Sequence, residues 1–216
     1  MIFSEKYRPR AVDELVFAEK HVRDLVINYA QYRPSKHLLL YGEPGTGKSE
    51  AIRLIAAAIF KTAGLAEPIF AHNGAEATEK VFTAILNEAN IQIMQGMARA
   101  LIVIDEVDEY EGKLPSQMRT FIDAHPSVQF LCTTNYINKI KPALKSRFRV
   151  IEVKRPMNID WTDRALEILQ SEGFSLARLD VAHLLQNFDG DARDLIDLLE
   201  EYILAAQTSQ MLGAHS

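Results

Sequence analysis

Eight consecutive residues have the types and spacing of a loop that binds nucleotide phosphates. They are Gly42, Glu43, Pro44, Gly45, Thr46, Gly47, Lys48 and Ser49. Glycines are needed in such a loop because backbone N–H groups must wrap closely around phosphate oxygens. The lysine can reach the β- and γ-phosphates, and the serine hydroxyl can bind Mg²⁺. An apolar run precedes the loop and a helical pattern follows it, as this chemistry requires, so we predict a site for MgATP or MgGTP.

Two carboxylates follow a second apolar run. Residues 100–104 are continuously apolar, as expected of a strand buried on both faces of a parallel sheet, and Asp105 and Glu106 come next. Ligands of α/β proteins bind at this end of the strands. Asp105 could hold Mg²⁺ with Ser49, and Glu106 could orient and deprotonate the water that attacks the γ-phosphate. A simple acidic turn is the alternative interpretation.

Two further polar residues occupy positions where they could assist this reaction. Asn135 follows the apolar run 128–132 and could contact the γ-phosphate or its attacking water, although a turn-forming asparagine explains it equally well. Arg147 lies in a short helical turn predicted at 142–148. It could be a surface arginine or an arginine finger, which is a cation supplied to the γ-phosphate.

Strand and helix patterns alternate along the first part of the chain. The apolar runs that predict strands lie at 37–41, 69–72, 100–104, 128–132 and 150–153. Apolar residues at helical spacing predict helices at 50–61, 78–86 and 116–124. This alternation predicts an α/β domain with a parallel sheet.

The alternation ends near residue 155, where the composition changes. Three helical patterns follow, at 161–172, 179–188 and 191–206, and together they can form a small bundle. We therefore predict a nucleotide-binding domain at 1–155, a small helical domain at 156–207 and a frayed C-terminal tail at 208–216.

The composition of the 216 residues argues against several classes of protein. No apolar stretch approaches the roughly 20 residues that span a bilayer, so we expect no membrane role. The N-terminus lacks the apolar core of a signal peptide, and a single cysteine, Cys132, cannot form an internal disulfide, which fits a reducing cytosol. The net charge is −5, so any contact with nucleic acid must come from a local basic face.

These motifs together resemble the AAA+ ATPases, specifically the small subunits of sliding-clamp loaders. The resemblance also rests on Lys6-Tyr7-Arg8-Pro9, Asp105-Glu106-Val107-Asp108, Ser146-Arg147 and Gly190-Asp191-Ala192-Arg193, and it extends to about residue 205. The set of motifs is similar to those of the bacteriophage ATPase subunit and of replication factor C small subunits. The resemblance implies a five-stranded parallel sheet in the order 5-1-4-3-2, followed by a helical lid.

The same resemblance implies roles for individual residues and ATP as the nucleotide. Tyr7, Arg8 and Pro9 would pack near the adenine. Asn135 would be the first sensor of the phosphates, and Arg193 would be the second sensor, reaching them from the lid. Arg147 would enter the site of a neighbouring subunit, so we expect the isolated chain to hydrolyse ATP poorly.

The resemblance also implies partners. They would be other AAA+ subunits in a ring, a pentamer where a collar domain is present, together with a sliding clamp and primer-template DNA. Lys80 and Arg119 match regions that line the DNA channel of clamp loaders, although each alone fits a solvated surface residue. We expect a cytoplasmic location, in a bacterium or a phage-infected host in preference to a nucleus.

The sequence departs from the clamp-loader pattern at three points. Phe148 stands where the pattern usually has cysteine, and Pro115 aligns with the glutamine that couples DNA to the ATPase. Clamp loaders carry a C-terminal collar domain, and we expect this chain to be either a truncated form or a minimal relative without it. Two other functions remain open: a helicase loader or a recombination or transposition regulator, and a nucleotide-dependent scaffold with little turnover.

Overall fold

The computed structural model describes residues 2–66, 72–78 and 80–213. Within these ranges, five parallel strands form one sheet: β1 His37–Tyr41, β2 His72–Asn73, β3 Ala100–Asp105, β4 Val128–Thr134 and β5 Phe148–Glu152. Their order across the sheet is β2-β3-β4-β1-β5, which confirms the predicted order. Residues 69–71 of the second predicted strand, and Glu79 of the helix predicted at 78–86, lie outside the described residues.

Helices connect the strands and form the C-terminal part of the chain. They are α1 Phe3–Lys6, α2 Lys20–Tyr32, α3 Lys48–Thr62, α4 Val81–Met94, α5 Leu114–Ala124, α6 Pro142–Lys145, α7 Thr162–Ser171, α8 Arg178–Leu184 and α9 Ala192–Gly213. The last helix continues beyond its predicted end at residue 206. The proposed division into two domains and a frayed tail stays a prediction.

The alternation of side chains along the strands divides the core of the sheet between its two faces. On β1, Leu39 packs with α4 and α5, whereas Leu38 and Leu40 pack with α2 and α3. The same alternation runs along β3, where Ile102 faces one layer and Val103 the other. The central strands β1, β3 and β4 therefore carry mostly buried apolar side chains, because both faces are covered by helices.

The C-terminal helices have a hydrophobic core of their own. Trp161, Leu169, Val181, Leu195 and Leu199 are buried in it. Residues Phe3, Tyr7 and Val16 from the N-terminal segment pack against the same core. The N-terminal segment therefore joins the helical bundle to the sheet, and it forms one wall of the space between them. Within the described residues, no helix has both the length and the apolar character that crossing a membrane requires.

A glutamine side chain completes the ladder of β3 beside the short strand β2. Gln92 of α4 donates its amide to the Leu101 carbonyl oxygen at 2.9 Å, and its own oxygen accepts the Leu101 N–H at 2.7 Å. The side chain is buried, so these bonds satisfy backbone groups that would otherwise lack partners. The edge of β3 is thus covered beyond the short stretch where His72 and Asn73 pair with it.

Candidate nucleotide site

A cleft of about 560 Å³ opens at the carboxyl edge of the sheet, between the N-terminal segment and the helical bundle. Most of the predicted site residues line it: Tyr7, Arg8, Pro9, Pro44, Gly45, Thr46, Gly47, Lys48, Ser49, Glu106, Asn135 and Arg193. Its remaining wall is partly apolar and includes Val16, Ile168 and Ile196. The fold thus brings together residues that are almost 190 positions apart in the chain.

The glycine-rich loop lies between β1 and α3, as predicted. Gly45 and Gly47 have φ values of +78° and +81°, a left-handed conformation that glycine adopts without steric cost. The Lys48 ammonium lies inside the loop and donates to the carbonyl oxygens of Gly42 and Glu43 at 2.9 and 2.6 Å. Burial lowers the pKa of Lys48 from 10.5 to about 8, and nearby carboxylates, led by Asp105, oppose that shift.

The predicted magnesium ligands meet at a single carboxylate oxygen. Ser49 Oγ, in the first turn of α3, donates to Asp105 Oδ1 at 2.8 Å. The Thr133 hydroxyl donates to the same oxygen, and Thr133 is 1% exposed. A hydroxyl and a carboxylate in contact form a donor set of the kind that Mg²⁺ uses together with nucleotide phosphates.

Thr133 also holds the backbone of Glu106. The Glu106 N–H donates to Thr133 Oγ1 at 3.0 Å. The sequence pattern alone assigns no role to Thr133. The available signal was its position, because a polar residue at the end of the strand beside β3 must lie next to Asp105.

Glu106 has a backbone conformation that costs energy for an ordinary residue. Its φ is +53° and its ψ is +49°, in the left-handed region. Gly74 makes this turn possible, because a Cβ on Gly74 would lie only 2.0 Å from the Glu106 carbonyl oxygen. Conformations of this kind persist where the surroundings enforce them, and they cluster at functional sites.

The N-terminal residues line the cleft through contacts with both of its walls. Tyr7 donates its hydroxyl to Glu172 Oε1 at 2.5 Å, at the end of α7. Arg8 pairs with Glu50 of α3 at 3.2 Å. Burial raises the pKa of Glu50, but hydrogen bonds from Arg53 and Arg8 outweigh it, so the net shift is downward. Glu50 therefore stays ionised and fixes this segment beside the phosphate loop.

The second predicted sensor enters the cleft from the start of α9. The Arg193 N–H donates to Asp191 Oδ1 at 2.9 Å, which caps the helix. The Arg193 side chain is exposed and makes no hydrogen bond or ion pair with the described residues. It is therefore available to a ligand in the cleft.

Residues 38–155 match the family model described as "ATPase family associated with various cellular activities (AAA)". They are more than half of the chain. The chain belongs to this family. The match begins in β1 and ends after β5, so it covers the phosphate loop, Asp105, Glu106 and Asn135 of this AAA protein.

Similar proteins include subunits of replication factor C. The chain is 27% identical over 219 residues to "Probable replication factor C subunit 5" of Caenorhabditis elegans, covering 94% of this chain and 58% of the relative. It is 24% identical over 211 residues to a replication factor C small subunit of Thermoplasma acidophilum, covering 96% and 66%. A similar subunit of Aeropyrum pernix is 26% identical over 202 residues, covering 93% and 62%.

These matches confirm the predicted resemblance to small subunits of clamp loaders. The chain spans less than two thirds of the length of each of these relatives.

Six predicted site residues of this AAA protein are not among those that line the cleft. Gly42, Glu43 and Asp105 lie within two positions in the chain of residues that do line it, whereas Arg147, Lys80 and Arg119 do not. Arg147 makes a two-pronged contact with Asp123 of α5, with Nε at 2.7 Å and Nη2 at 2.5 Å from the two carboxylate oxygens. Lys80 is exposed immediately before α4, and Arg119 is exposed on α5. The structure thus separates these cations from the residues around the phosphate loop.

The two departures from the clamp-loader pattern within this AAA domain have local structural reasons. Phe148 begins β5 and is buried in the core, with its ring 5.4 Å from the ring of His37. Pro115 lies in the first turn of α5, where its missing N–H removes no helical hydrogen bond.

Proposed function

We propose that this chain hydrolyses ATP to ADP and phosphate as one subunit of a sliding-clamp loader. The observation that carries the ATPase part is the contact of Ser49 and Thr133 with Asp105. Asp105 immediately precedes Glu106, which lines the same cleft as the phosphate loop. The AAA family is a family of ATPases, which favours ATP over GTP. The names of the relatives support the clamp-loader part.

The residues present fit MgATP. The left-handed glycines leave room for phosphates against backbone N–H groups, and Lys48 adds a cation inside the same loop. The described residues contain no cluster of three or more His, Cys, Asp or Glu that could hold a metal alone. This fits Mg²⁺, which in such enzymes is bound by few protein ligands together with phosphate oxygens. When bound, Mg²⁺ would neutralise charge on the β- and γ-phosphates.

The chain's own residues would then have separate roles in ATP hydrolysis. Lys48 binds the β- and γ-phosphates, and Ser49 and Asp105 hold the metal. Glu106 accepts the proton of the attacking water, and Asn135 orients that water or the γ-phosphate. Arg193 contacts the phosphates from the lid, so that the lid position depends on the nucleotide.

Arg147 would complete the site of a neighbouring subunit. An arginine that acts in a neighbour's site must lie outside the cleft of its own chain, and Arg147 meets this condition. Its pairing with Asp123 orients the guanidinium at the surface. The proposed reaction therefore depends on assembly, because the cation arrives only when the subunits are docked.

The proposed partners are other AAA+ subunits in a ring, a sliding clamp and primer-template DNA. Lys80 and Arg119 support the DNA part, because both are exposed and because α4 and α5 are in contact with each other. Each charge alone contributes little. In a ring the same two cations recur in every subunit, so contacts with DNA phosphates add up.

The proposal is tested by measuring ATP hydrolysis of the assembled protein alone, with primer-template DNA, and with DNA and a purified clamp. We expect turnover that requires Mg²⁺, rises with DNA and rises again with the clamp. A Lys48→Ala protein provides the background rate. If DNA and the clamp left turnover unchanged, the result would contradict the clamp-loader role but not the ATPase activity. Turnover equal to that of Lys48→Ala would contradict both.

A further inference from the structure

One guanidinium connects the phosphate loop with the helical lid. Arg155 lies just after β5, at the start of the connection to the C-terminal helices. Its Nη2 donates to the Pro44 carbonyl oxygen at 3.0 Å, and its Nη1 donates to Asp189 Oδ2 at 3.1 Å. Its Nε lies 3.4 Å from Glu43 Oε2. Two of these partners belong to the phosphate loop, and the third belongs to the loop that precedes α9.

The loop that precedes α9 lies close both to the segment that contains Arg155 and to the phosphate loop. A Cβ on Gly190 would lie 2.2 Å from the Pro156 carbonyl oxygen and 3.0 Å from Arg155 Cγ. A Cβ on Gly45 would lie 1.9 Å from Asp191 Oδ2. A side chain at position 190 would clash with the backbone just after Arg155, whereas one at position 45 would displace the carboxylate of Asp191. The loop that precedes α9 is therefore closely packed against the segment that contains Arg155.

A chain of hydrogen bonds leads from this contact to Arg193. Asp189 accepts the Asp191 N–H through Oδ1 at 3.0 Å while its Oδ2 binds Arg155. Asp191 in turn accepts the Arg193 N–H at 2.9 Å. The position of the first turn of α9, from which the Arg193 side chain extends into the cleft, thus depends on Asp189 and on the cation that holds it.

We propose that Arg155 is a positioning residue that sets the lid, and with it Arg193, over the phosphate loop. The proposal rests on the proposed function, in which Arg193 contacts the phosphates of ATP. An ordinary surface ion pair would contribute little. Arg155 differs from such a pair in two ways, because its side chain is only 27% exposed and because it contacts three groups on two separate loops.

The chemistry of arginine suits this task. Its planar guanidinium presents donors in fixed directions, so that one side chain can bind a carbonyl and two carboxylates at once. Nε is buried and has no hydrogen-bond partner within the described part of the chain, so its attraction to Glu43 is that of an ion pair alone. A lysine would keep the charge but would present a compact ammonium without this fork.

The test uses the full chain and measures its affinities for ATP and ADP by calorimetry. Arg193→Ala should lower the preference for ATP over ADP by about tenfold, since it removes a charged contact with the phosphates. Arg155→Ala should lower the same preference by about threefold to tenfold in the wild-type background, but should leave it unchanged in the Arg193→Ala background. Arg155→Lys should resemble Arg155→Ala.

Lys154→Ala is the matched control. Lys154 is the adjacent cation, but it pairs with Glu19 at 3.1 Å and makes no hydrogen bond or ion pair with the C-terminal helices where the structure describes them. Its substitution should leave the preference for ATP unchanged. Asp189→Asn should reproduce the effect of Arg155→Ala, because the amide keeps the cap on Asp191 and loses the charge that binds the guanidinium.

Hydrogen exchange in the protein without nucleotide provides a readout that does not depend on ATP. Arg155→Ala should raise amide exchange at residues 189–195 by about tenfold relative to wild type, whereas Lys154→Ala should not. Unchanged exchange there would overturn the inference. Equal losses of ATP and ADP affinity would also overturn it, because the arginine would then act on the phosphate loop alone. Failure of the wild-type chain to bind ATP, with the exchange result as expected, would overturn the proposed function and leave the lid contact standing.

Discussion

Thr133, at the end of β4, donates a hydrogen bond from its hydroxyl to the carboxylate of Asp105 on the neighbouring strand. The same hydroxyl oxygen accepts the Glu106 N–H at 3.0 Å. One buried side chain therefore fixes the position of Asp105, the proposed metal ligand, and of the backbone of Glu106, the proposed general base. Partners of this kind orient the groups that contact a metal, and their loss usually lowers activity.

Thr133→Val should lower ATP hydrolysis by about 10- to 100-fold and raise the Mg²⁺ concentration needed for half-maximal turnover. Valine has nearly the same shape but leaves the Glu106 N–H without its partner. Thr134→Val is the control, because the Thr134 hydroxyl is also buried but accepts the Tyr136 N–H instead. Thr133→Ser should restore much of the activity. If Thr133→Val and Thr134→Val lowered ATP hydrolysis equally, the result would contradict a specific role for Thr133.

Glu106→Gln should leave MgATP binding largely intact and lower hydrolysis by about 10²- to 10⁴-fold, since the amide keeps the shape but cannot accept the proton of water. Calorimetry and phosphate release measure the two properties separately. Glutamine places the same demands on the left-handed backbone, so the variant should fold normally. Turnover close to that of the wild type would show that Glu106 is not the base.

Arg147→Ala should leave the ATP affinity of the isolated chain unchanged and lower assembly-dependent hydrolysis by about 10³-fold or more. Asp123→Ala serves as a comparison, because it releases the guanidinium without removing it. Mixing Arg147→Ala subunits with Glu106→Gln subunits should recover some activity where an intact arginine meets an intact site. Absence of recovery in a confirmed assembly would argue that the arginine does not act across subunits.

Lys80→Ala and Arg119→Ala together should make DNA binding by the ATP-bound assembly less sensitive to salt. Each phosphate contact contributes about −0.9 to the slope of log affinity against log salt, so the loss of several contacts is measurable. Nucleotide affinity should not change, since neither residue lines the cleft. An unchanged slope would place the DNA surface elsewhere on the ring.

The stability of the fold should depend on the protonation of His37. Burial, with a smaller effect from Arg99, lowers the pKa of His37 from 6.5 to about 4, and its Nδ1 accepts the Phe130 N–H at 3.0 Å. Between about pH 6.5 and 4 the unfolded chain therefore binds more protons than the folded chain, so stability falls as the pH falls.

Substitution of His37 by Asn should remove this part of the pH dependence. The difference in free energy of unfolding between wild type and His37→Asn should shrink by about 2–3 kcal/mol from pH 7 to pH 4. Denaturant unfolding at several pH values measures it. A constant difference between wild type and His37→Asn would contradict the assignment.

Several features of this protein follow from local sequence. The phosphate loop was predictable because its glycines, lysine and serine are consecutive and lie between a strand pattern and a helix pattern. The pair Asp105 and Glu106 was predictable because a fully apolar strand must end where ligands of α/β proteins bind. The order of the strands, in contrast, came from the resemblance to a known family and is confirmed by the structure.

The contacts that tie these motifs together were decided by tertiary structure alone. Thr133 meets Asp105 across 28 positions, and Arg155 meets Pro44 across 111 positions. Gly74 is required only because the Glu106 carbonyl passes beside it. Residue types and periodicity determine which elements form, since those depend on near neighbours in the chain. Which hydroxyl reaches a given carboxylate, and which cation holds the lid, depends on the packing of strands and loops that are distant in sequence.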